Sequence, residues 1–596
     1  MRELLETIRS RHLDRIAVAY GAAAWVAVQV TVTAASAFAW PIWTVQVAII
    51  LAVLGFPAAL LATWAVKDRQ SGTSLLHPTR AETKILAGLV VIFIGSAAAF
   101  VTVFWPHAAQ KETAPRPAMH LEAPEHSIAV LPFANMSGNP ANKYLSDGIA
   151  DQLIGDLARI PTLHVAARTS SFALGDKNLD IKPIARALGV RTILEGSVRE
   201  DRGRIRILAQ LIDAASGFPI WSESYDRELT GILALQDDIA RAIEAALTNR
   251  LSGAARQHGP VARTVVPEAF KQFLEARYFL GQRTEDSITR AIPILEKAIS
   301  RQPDFADAYA SLGFAHIALA FNYGRTAQAA LAVEPLRTAL ELDPDNTEAL
   351  DARVTLSLFK WDWRAAWTDV KRLLSTSSGA ARAWHASALF YNAMGFLKQS
   401  ANAEKRAIAL DPLSFIDRFN LALDYTALGL HREALGTIND ALALQPANPD
   451  ALGLLCETQA AIADLKGANR TLAKLATGGD VSLSTSLCRF YIGYYTHDLA
   501  SMRRLMDTVA ANYATSGATP ADMAIGYRLA GANDEALKWF AKAFEERDIA
   551  ALSAEYFAIG PKTMFADPRW KAMRDTQAVR DWETVRGEIA AQLPGE

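Results

Sequence analysis

Prolines recur at a fixed spacing through the second half of the chain. Pro412 and Pro446 lie 34 residues apart, and Pro344 precedes Pro412 by 68 residues, which is two such periods. A period of this length is typical of a pair of antiparallel helices that stacks on copies of itself. Each pair buries its apolar face against its neighbours, so the pattern predicts an elongated, all-helical array.

Small and large apolar residues recur with the same period. Small residues fall where the two helices of a pair cross, and large ones fall between neighbouring pairs. We therefore predict a tetratricopeptide solenoid of about eight repeats over 272–550, followed by C-terminal capping helices over 551–596. The predicted packing positions in the two best copies are Leu421, Ala422, Tyr425, Gly429, Ala434, Ala441, Pro446, Tyr527, Gly531, Ala536, Phe540 and Ala543.

Two long runs near the N-terminus contain no Asp, Glu, Lys or Arg. The first extends from Ile16 to Val66 and the second from Ile85 to Trp105. One membrane span needs about 20 apolar residues, so the first run is long enough for two spans and the second for one. The sequence therefore predicts transmembrane helices at 16–38, 43–66 and 85–105.

Basic residues predict the orientation of these helices. They are concentrated in the short segments 1–15 and 67–84, which we therefore expect to be cytoplasmic. Three spans would then place everything after Trp105 outside the cytoplasm. Residues 106–126 contain four prolines and predict an extended linker to the next domain.

Segment 127–251 alternates short β-branched, apolar runs with stretches of helical spacing. This pattern predicts a small α/β domain. Its clearest element is a hairpin, in which arms beginning at Ile193 and Arg204 flank a turn that contains Gly203. Apolar and polar residues alternate along the second arm, so one face of the hairpin is expected to be buried.

Six stretches of this domain resemble a known family. They are SIAVLPF, YLSDGIADQL, ARTSSF, LGVRTILEGSVR, AQLIDAASG and IWSESYDREL. In this order they are similar to the TolB-like amino-terminal domain, which accompanies tetratricopeptide repeats in many bacterial membrane proteins. The resemblance implies a bacterial envelope protein. Together with the apolar runs and the basic flanks, it leads us to expect a multi-pass bacterial inner-membrane protein with its C-terminal bulk in the periplasm. The expected fold is thus multidomain: three transmembrane helices, an α/β domain and an all-α solenoid.

Composition and motifs argue against several classes of function. The net charge of -2 disfavours a general nucleic-acid binder, which needs excess basic residues. The sequence has no phosphate loop, no HExxH zinc motif and no GxSxG elbow, so we predict no catalytic, cofactor-binding or metal-ligating residue. Asp147, Asp151 and Asp156 come nearest to a metal cluster, but Asp147 is better explained as a cap at the start of a helix.

The two cysteines, Cys456 and Cys488, fall on the first helices of neighbouring repeats. Their spacing matches no thiolate zinc site. We expect free, buried thiols, and a single disulfide remains the open alternative.

These observations predict a membrane-anchored periplasmic scaffold without enzymatic activity. Its repeats would bind other proteins in a groove, and its spans would contact the lipid bilayer. The sequence is also compatible with a homo-oligomer. The alternative is a regulatory or sensor component of an envelope signalling system, since some relatives of this architecture carry a class III adenylate cyclase or a winged-helix domain.

Overall fold

The computed structural model describes residues 123–593 except 161, 176–178, 202, 249–264 and 477–482, and in addition Tyr20, Ala24, Trp25 and Gln29. All the elements below lie within Leu121–Glu596.

A mixed β-sheet begins this region. Its strands are β1 (Ser127–Val130), β2 (Ala134–Asn135), β3 (His164–Val165), β4 (Thr192–Asp201), β5 (Arg204–Asp213) and β6 (Pro219–Glu228). The order is β3-β1-β4-β5-β6, and β2 pairs with β4. The strand β1 is parallel to β3 and β4, whereas β4, β5 and β6 form an antiparallel meander. Gly203, at a φ of 80°, closes the β4–β5 hairpin, as its position in the sequence predicts.

Four helices cover the sheet: α1 (Lys143–Ala158), α2 (Arg168–Gly175), α3 (Ile181–Leu188) and α4 (Ile232–Thr248). The helices α1 and α4 share a core with the apolar face of the hairpin, which includes Val198 and Ile207. On the opposite face, Ile184 and Leu188 of α3 pack with Ile193. Helices therefore cover both faces of the sheet at β1. This agrees with the burial of all four residues of β1, because successive side chains of a strand point to opposite faces.

Eight helix pairs follow within the described part of the chain. They are α5 (Pro267–Gly281) with α6 (Glu285–Arg301), α7 (Ala306–Asn322) with α9 (Val333–Leu342), α10 (Thr347–Lys360) with α11 (Trp363–Thr376), α12 (Ala381–Ala393) with α13 (Leu397–Leu410), α14 (Phe415–Ala427) with α15 (His431–Leu444), α16 (Pro449–Ala461) with α17 (Leu465–Ala476), α18 (Leu483–Tyr495) with α19 (Leu499–Ala511), and α21 (Pro520–Leu529) with α22 (Asn533–Glu545). Short helices α8 (Gln328–Leu331) and α20 (Tyr513–Ser516) interrupt the series. The chain thus contains a tetratricopeptide-like helical solenoid.

The α/β domain and the first repeats share one hydrophobic core. Phe270, Phe273 and Leu274 of α5 belong to the same buried cluster as the sheet and α1. The two helices approach closely at Gly148, where a Cβ atom would lie 2.7 Å from Leu274 Cδ2. Any larger residue at this position would push α1 away from the solenoid.

The C-terminal tail forms α23 (Pro568–Arg574) and α24 (Gln577–Ala590). Trp570 of α23 packs edge-on against Phe540 of the last repeat, which is the contact expected of a cap. The second helix instead reaches the middle of the solenoid. Trp582 Nε1 donates a hydrogen bond of 3.2 Å to the Ala393 carbonyl, and Trp363 Nε1 donates one of 3.1 Å to the Ala578 carbonyl. The tail therefore joins distant repeats as well as covering the last one.

No helix in the described part of the chain is long and apolar enough to cross a membrane. The longest described helices have 17 residues, short of the roughly 20 that a span needs, and carry charged residues. This finding contradicts the predicted fold class with three transmembrane helices and the predicted multi-pass location in the bacterial inner membrane. The predicted spans at 16–38, 43–66 and 85–105 themselves lie outside the described residues.

Candidate functional site on the first-helix face

The first helices of the eight pairs lie side by side along the solenoid. We call the surface that α5, α7, α10, α12, α14, α16, α18 and α21 form the first-helix face. Adjacent first helices pack directly on each other, for example α7 on α10 and α16 on α18. A solenoid of this kind presents such a face as an extended binding surface, which makes it the candidate functional site.

Ion pairs connect the N-terminal part of the first-helix face to the α/β domain. Arg277 of α5 donates from Nη2 to Asp151 of α1 at 2.8 Å and from Nη1 to Glu348 of α10 at 2.7 Å. Ser311 of α7 donates a further hydrogen bond to Glu348 at 2.7 Å. One guanidinium therefore holds two carboxylates that come from different domains.

The same network extends to α12. Arg382 lies 2.7 Å from Asp351 and 3.4 Å from Glu348. Burial alone raises the pKa of Glu348, but the guanidinium groups of Arg277 and Arg382 outweigh it and hold the pKa below its ordinary value. Burial likewise opposes ionisation of Asp151, and Arg277 and Arg168 keep its pKa low. Both carboxylates are therefore charged at neutral pH.

The α/β domain also contacts the loops between repeats. Arg159 forms an ion pair of 2.9 Å with Asp343, which follows α9. The Ser170 hydroxyl of α2 donates to Asp411 and accepts a hydrogen bond of 2.8 Å from the Leu413 amide. These contacts span the second to the fourth repeat, so the chain's own α/β domain occupies the N-terminal part of the solenoid.

The first-helix face changes character at α14. Ile416 and Leu423 are 36% and 41% exposed, and Phe415 and Phe419 stack with ring centroids 5.9 Å apart. Exposed aliphatic side chains beside half-buried aromatic rings form the kind of surface that binds apolar side chains of a partner.

Tyrosines continue this surface on α18. The rings of Tyr494 and Tyr495 lie 5.0 Å apart, and Tyr491 faces Glu457 of α16. Burial raises the pKa of Glu457 to about 8, so this carboxyl group is largely protonated at neutral pH. Because Glu457 is buried, the neutral acid can donate and accept hydrogen bonds beneath the tyrosines and forms no part of the exposed surface.

A cavity of about 870 Å³ lies beside the sheet, between β2, β4, β5 and α3. Among the described residues, its ionisable lining side chains are Lys143 and Glu195. Lys143 already forms an ion pair of 2.9 Å with Asp147.

The predicted packing positions fall into three groups. Most are buried: Leu421, Ala422, Ala434, Ala441, Tyr527, Ala536, Phe540 and Ala543. Tyr425 is half-buried, and Gly429, Gly531 and Pro446 are exposed in turns. Gly429 and Gly531 have φ values of 75° and 71°, which favour glycine after a first helix. These residues form the repeats and not the charged network.

Two expectations about individual residues are wrong. Cys456 and Cys488 are joined by a disulfide and are not free thiols, because the first helices of neighbouring repeats bring their Cα atoms to 5.4 Å. Asp147 does not cap α1, which begins four residues earlier at Lys143. It pairs with that lysine instead, one helical turn away.

Sequence reasoning missed the charged network entirely. Arg277 and Asp151 are 126 residues apart, and no motif links them. The available signal is the periodic position of Glu348 and Arg382, which lie 34 residues apart and therefore occupy equivalent places in successive repeats.

Comparisons with known proteins give partial matches. No family model matches the chain. Over 186 residues the chain is 43% identical to a putative adenylate cyclase 3 of Rhizobium meliloti (strain 1021), which covers 31% of this chain and 32% of that protein. The chain thus matches about a third of the length of this relative.

Several solved structures are similar to part of the chain. Pseudomonas aeruginosa PilF is 19% identical, with 35% of this chain and 95% of that chain covered and a TM-score of 0.29. The type IV pilus biogenesis factor PilW is 20% identical, with 35% and 96% covered and a TM-score of 0.30. The peptide-binding repeat protein YrrB is 18% identical, with 31% and 91% covered and a TM-score of 0.24.

Proposed function

We propose that this protein is a protein–protein interaction scaffold that binds its partner on the first-helix face of the later repeats, from α14 to α18. The observation that carries the proposal is the contrast along this face. In the N-terminal part, charged side chains such as Arg277 pair with one another and with the α/β domain, whereas Ile416 and Leu423 are exposed on α14. A partner with apolar side chains fits the second part and not the first.

Such a scaffold needs no catalytic group, and we propose no enzymatic role. The sequence lacks a phosphate loop and a zinc-protease motif, and few of the described residues that line the cavity beside the sheet are ionisable. The assignment of 127–251 as a TolB-like domain, and of 272–550 as the repeat unit, is part of the same proposal. It is supported by the six similar stretches and by the helix pairs.

A photo-crosslinking amino acid at Leu423 tests the scaffold. In cells of the source organism it should give discrete adducts of higher mass, because this position faces the partner. The matched control is Ala443, which is exposed on α15, the second helix of the same repeat, and should give none. Adding Ile416→Asp should abolish the Leu423 adduct by placing a charge in the apolar surface. Equal adducts at both positions, or none at Leu423, would contradict the proposal.

A second candidate is a regulatory component of a cyclic-nucleotide signalling system. The 43% identity to the putative adenylate cyclase favours it. Deletion of the coding region should then change cellular cyclic AMP, while the purified chain should form no cyclic AMP from ATP with magnesium or manganese. Unchanged cyclic AMP in the deletion strain would eliminate this candidate and leave the scaffold intact.

A further inference from the structure

Three ionisable side chains meet between the fourth and the fifth repeat. His385 belongs to α12, Glu404 to α13 and Asp417 to α14. His385 Nδ1 lies 2.8 Å from Asp417 Oδ1 and 3.9 Å from Glu404 Oε1. One potential ligand atom from each residue lies within 4.8 Å of the other two.

Helix packing fixes these positions. The helix α13 packs on both α12 and α14, so side chains on its inner surface reach both neighbours. Ser414 caps α14 by accepting a hydrogen bond from the Asp417 amide, which places the Asp417 carboxylate in the first turn of the helix. The three donors are thus held by three rigid elements and not by a loop, as a preorganised site requires.

Glu404 is the most informative member of this cluster. It is 1% exposed, and Asn420 Nδ2 donates to its Oε1 atom at 3.2 Å. Its other oxygen, Oε2, has no hydrogen-bond partner in the described structure. Burial of a carboxylate oxygen without a hydrogen-bond partner destabilises the folded state. We therefore expect Glu404 Oε2 to bind a ligand from outside the chain.

The charge balance indicates what kind of ligand is lacking. Asp424, which is also buried, accepts a hydrogen bond of 2.8 Å from Asn392. The negative charges of Asp417 and Asp424 both act on Glu404, and His385 supplies the opposing positive charge. Buried carboxylates that face one imidazole need further positive charge to remain ionised, and a bound cation supplies it.

We propose that His385, Glu404 and Asp417 bind a divalent transition-metal ion, for which Zn²⁺ is the best fit. Zinc takes imidazole nitrogen and carboxylate oxygen at about 2.0–2.2 Å, so tetrahedral ligands lie roughly 3.3–3.5 Å from one another. The separations of 2.8 and 3.9 Å from His385 Nδ1 lie on either side of this range. Small side-chain movements would complete the geometry, and a hard ion such as Mg²⁺ would prefer oxygen ligands alone.

His385 provides the route into the site. Its side chain is 24% exposed, whereas both carboxylates are buried. An ion can therefore enter past the imidazole, and water or a partner's side chain can occupy the fourth position. Asn420 does not belong to the ligand set, but its hydrogen bond to Glu404 fixes the orientation of that ligand.

Zinc titration of the metal-free, full-length protein tests the proposal. The wild type should bind one Zn²⁺ with micromolar or tighter affinity in calorimetry and by metal analysis after dialysis. Glu404→Gln keeps the shape but removes a charged ligand, and it should weaken binding at least about 10- to 100-fold. Glu457→Gln, at a buried carboxyl group on α16 outside the cluster, is the matched control and should bind like the wild type.

Co²⁺ substitution of the wild type gives a second readout, which should show the visible absorption of tetrahedral coordination. The absence of this absorption overturns the proposal, even if Glu404→Gln does not fold. Two further results would also overturn it: no stoichiometric Zn²⁺ binding by the wild type, or equal binding by the wild type and both variants. Preference for Mg²⁺ over Zn²⁺ would reject the assignment to a transition metal.

Discussion

Arg277 connects the α/β domain to the solenoid through two buried ion pairs. We expect Arg277→Met to be strongly destabilising, because it removes the cation between Asp151 and Glu348 and leaves both carboxylates buried. Breaking a buried ion pair costs about 3–5 kcal/mol. Arg168 lies 3.5 Å from Asp151 and Arg382 lies 3.4 Å from Glu348, so each carboxylate keeps one neighbouring positive charge in the variant. The loss should therefore be near 3 kcal/mol, the lower end of this range.

The chain contains a matched control for this experiment. Arg337 of α9 also bridges two carboxylates, those of Glu334 and Glu341, but it is 54% exposed whereas Arg277 is 21% exposed. Exposed ion pairs contribute little to stability, so Arg337→Met should have a far smaller effect. Denaturant unfolding gives the magnitudes. Hydrogen exchange should show loss of protection in α1 and α5 for the Arg277 variant alone.

The pH dependence supplies an independent check on the mechanism. The pKa values of Asp151 and Glu348 are held below their ordinary values in the folded state. Their stabilisation is complete above the ordinary carboxyl pKa of about 4 and is lost as the pH falls through the lower, folded values. The difference between wild type and Arg277→Met should thus be full at pH 7 and should narrow below roughly pH 4. Equal destabilisation by the two variants, or a difference that does not shrink in acid, would refute the reasoning.

Three further predictions concern packing. Ala434→Leu should cost about 1–3 kcal/mol, because this residue is fully buried where two helices cross, whereas the same change at the exposed Ala447 should cost much less in thermal unfolding. Replacing both Cys456 and Cys488 by Ala should cost about 3–4 kcal/mol for a closed loop of this length, and reductant should then leave the melting temperature unchanged. Trp582→Ala should cost about 3–5 kcal/mol and should increase hydrogen exchange in α11 and α12 before α18.

Each of these three has a result that would contradict it. Equal losses at Ala434 and Ala447 would mean that the 34-residue register is misplaced. If reductant lowers the melting temperature of the cysteine-free variant, the effect of reductant on stability does not come from the disulfide. Exchange that increases first in α18 would show that α24 does not dock on the middle of the solenoid.

Local patterns were sufficient to predict the regular elements. The β4–β5 hairpin follows from the alternation of apolar and polar residues in the arm after Gly203, and the structure pairs Asp201 with Arg204 directly across the turn. The helix pairs follow from the spacing of small residues such as Ala434 and Ala441, which are fully buried. In both cases the signal lies within a few residues of the contact that it predicts.

Contacts between distant segments could not be predicted in this way. The pair of Arg159 and Asp343 joins residues 184 positions apart, and neither belongs to a recognisable motif. The cluster of His385, Glu404 and Asp417 comes from three helices, so its spacing resembles no metal-binding signature. The sequence suggested that Cys456 and Cys488 lie on neighbouring helices, but it did not establish that they bond.

The docking of α24 onto α11 and α12 has a consequence for synthesis of the chain. Neighbouring repeats can fold as they leave the ribosome, because their contacts are local. Trp582 follows Ala393, its hydrogen-bond acceptor, by 189 residues. At about 5–20 residues per second, roughly 10–40 s pass between translation of these two positions. During that interval the apolar surface around Trp363 lacks its cover, so the nascent chain is prone to aggregate, and a chain that stops before Gln577 keeps this surface exposed.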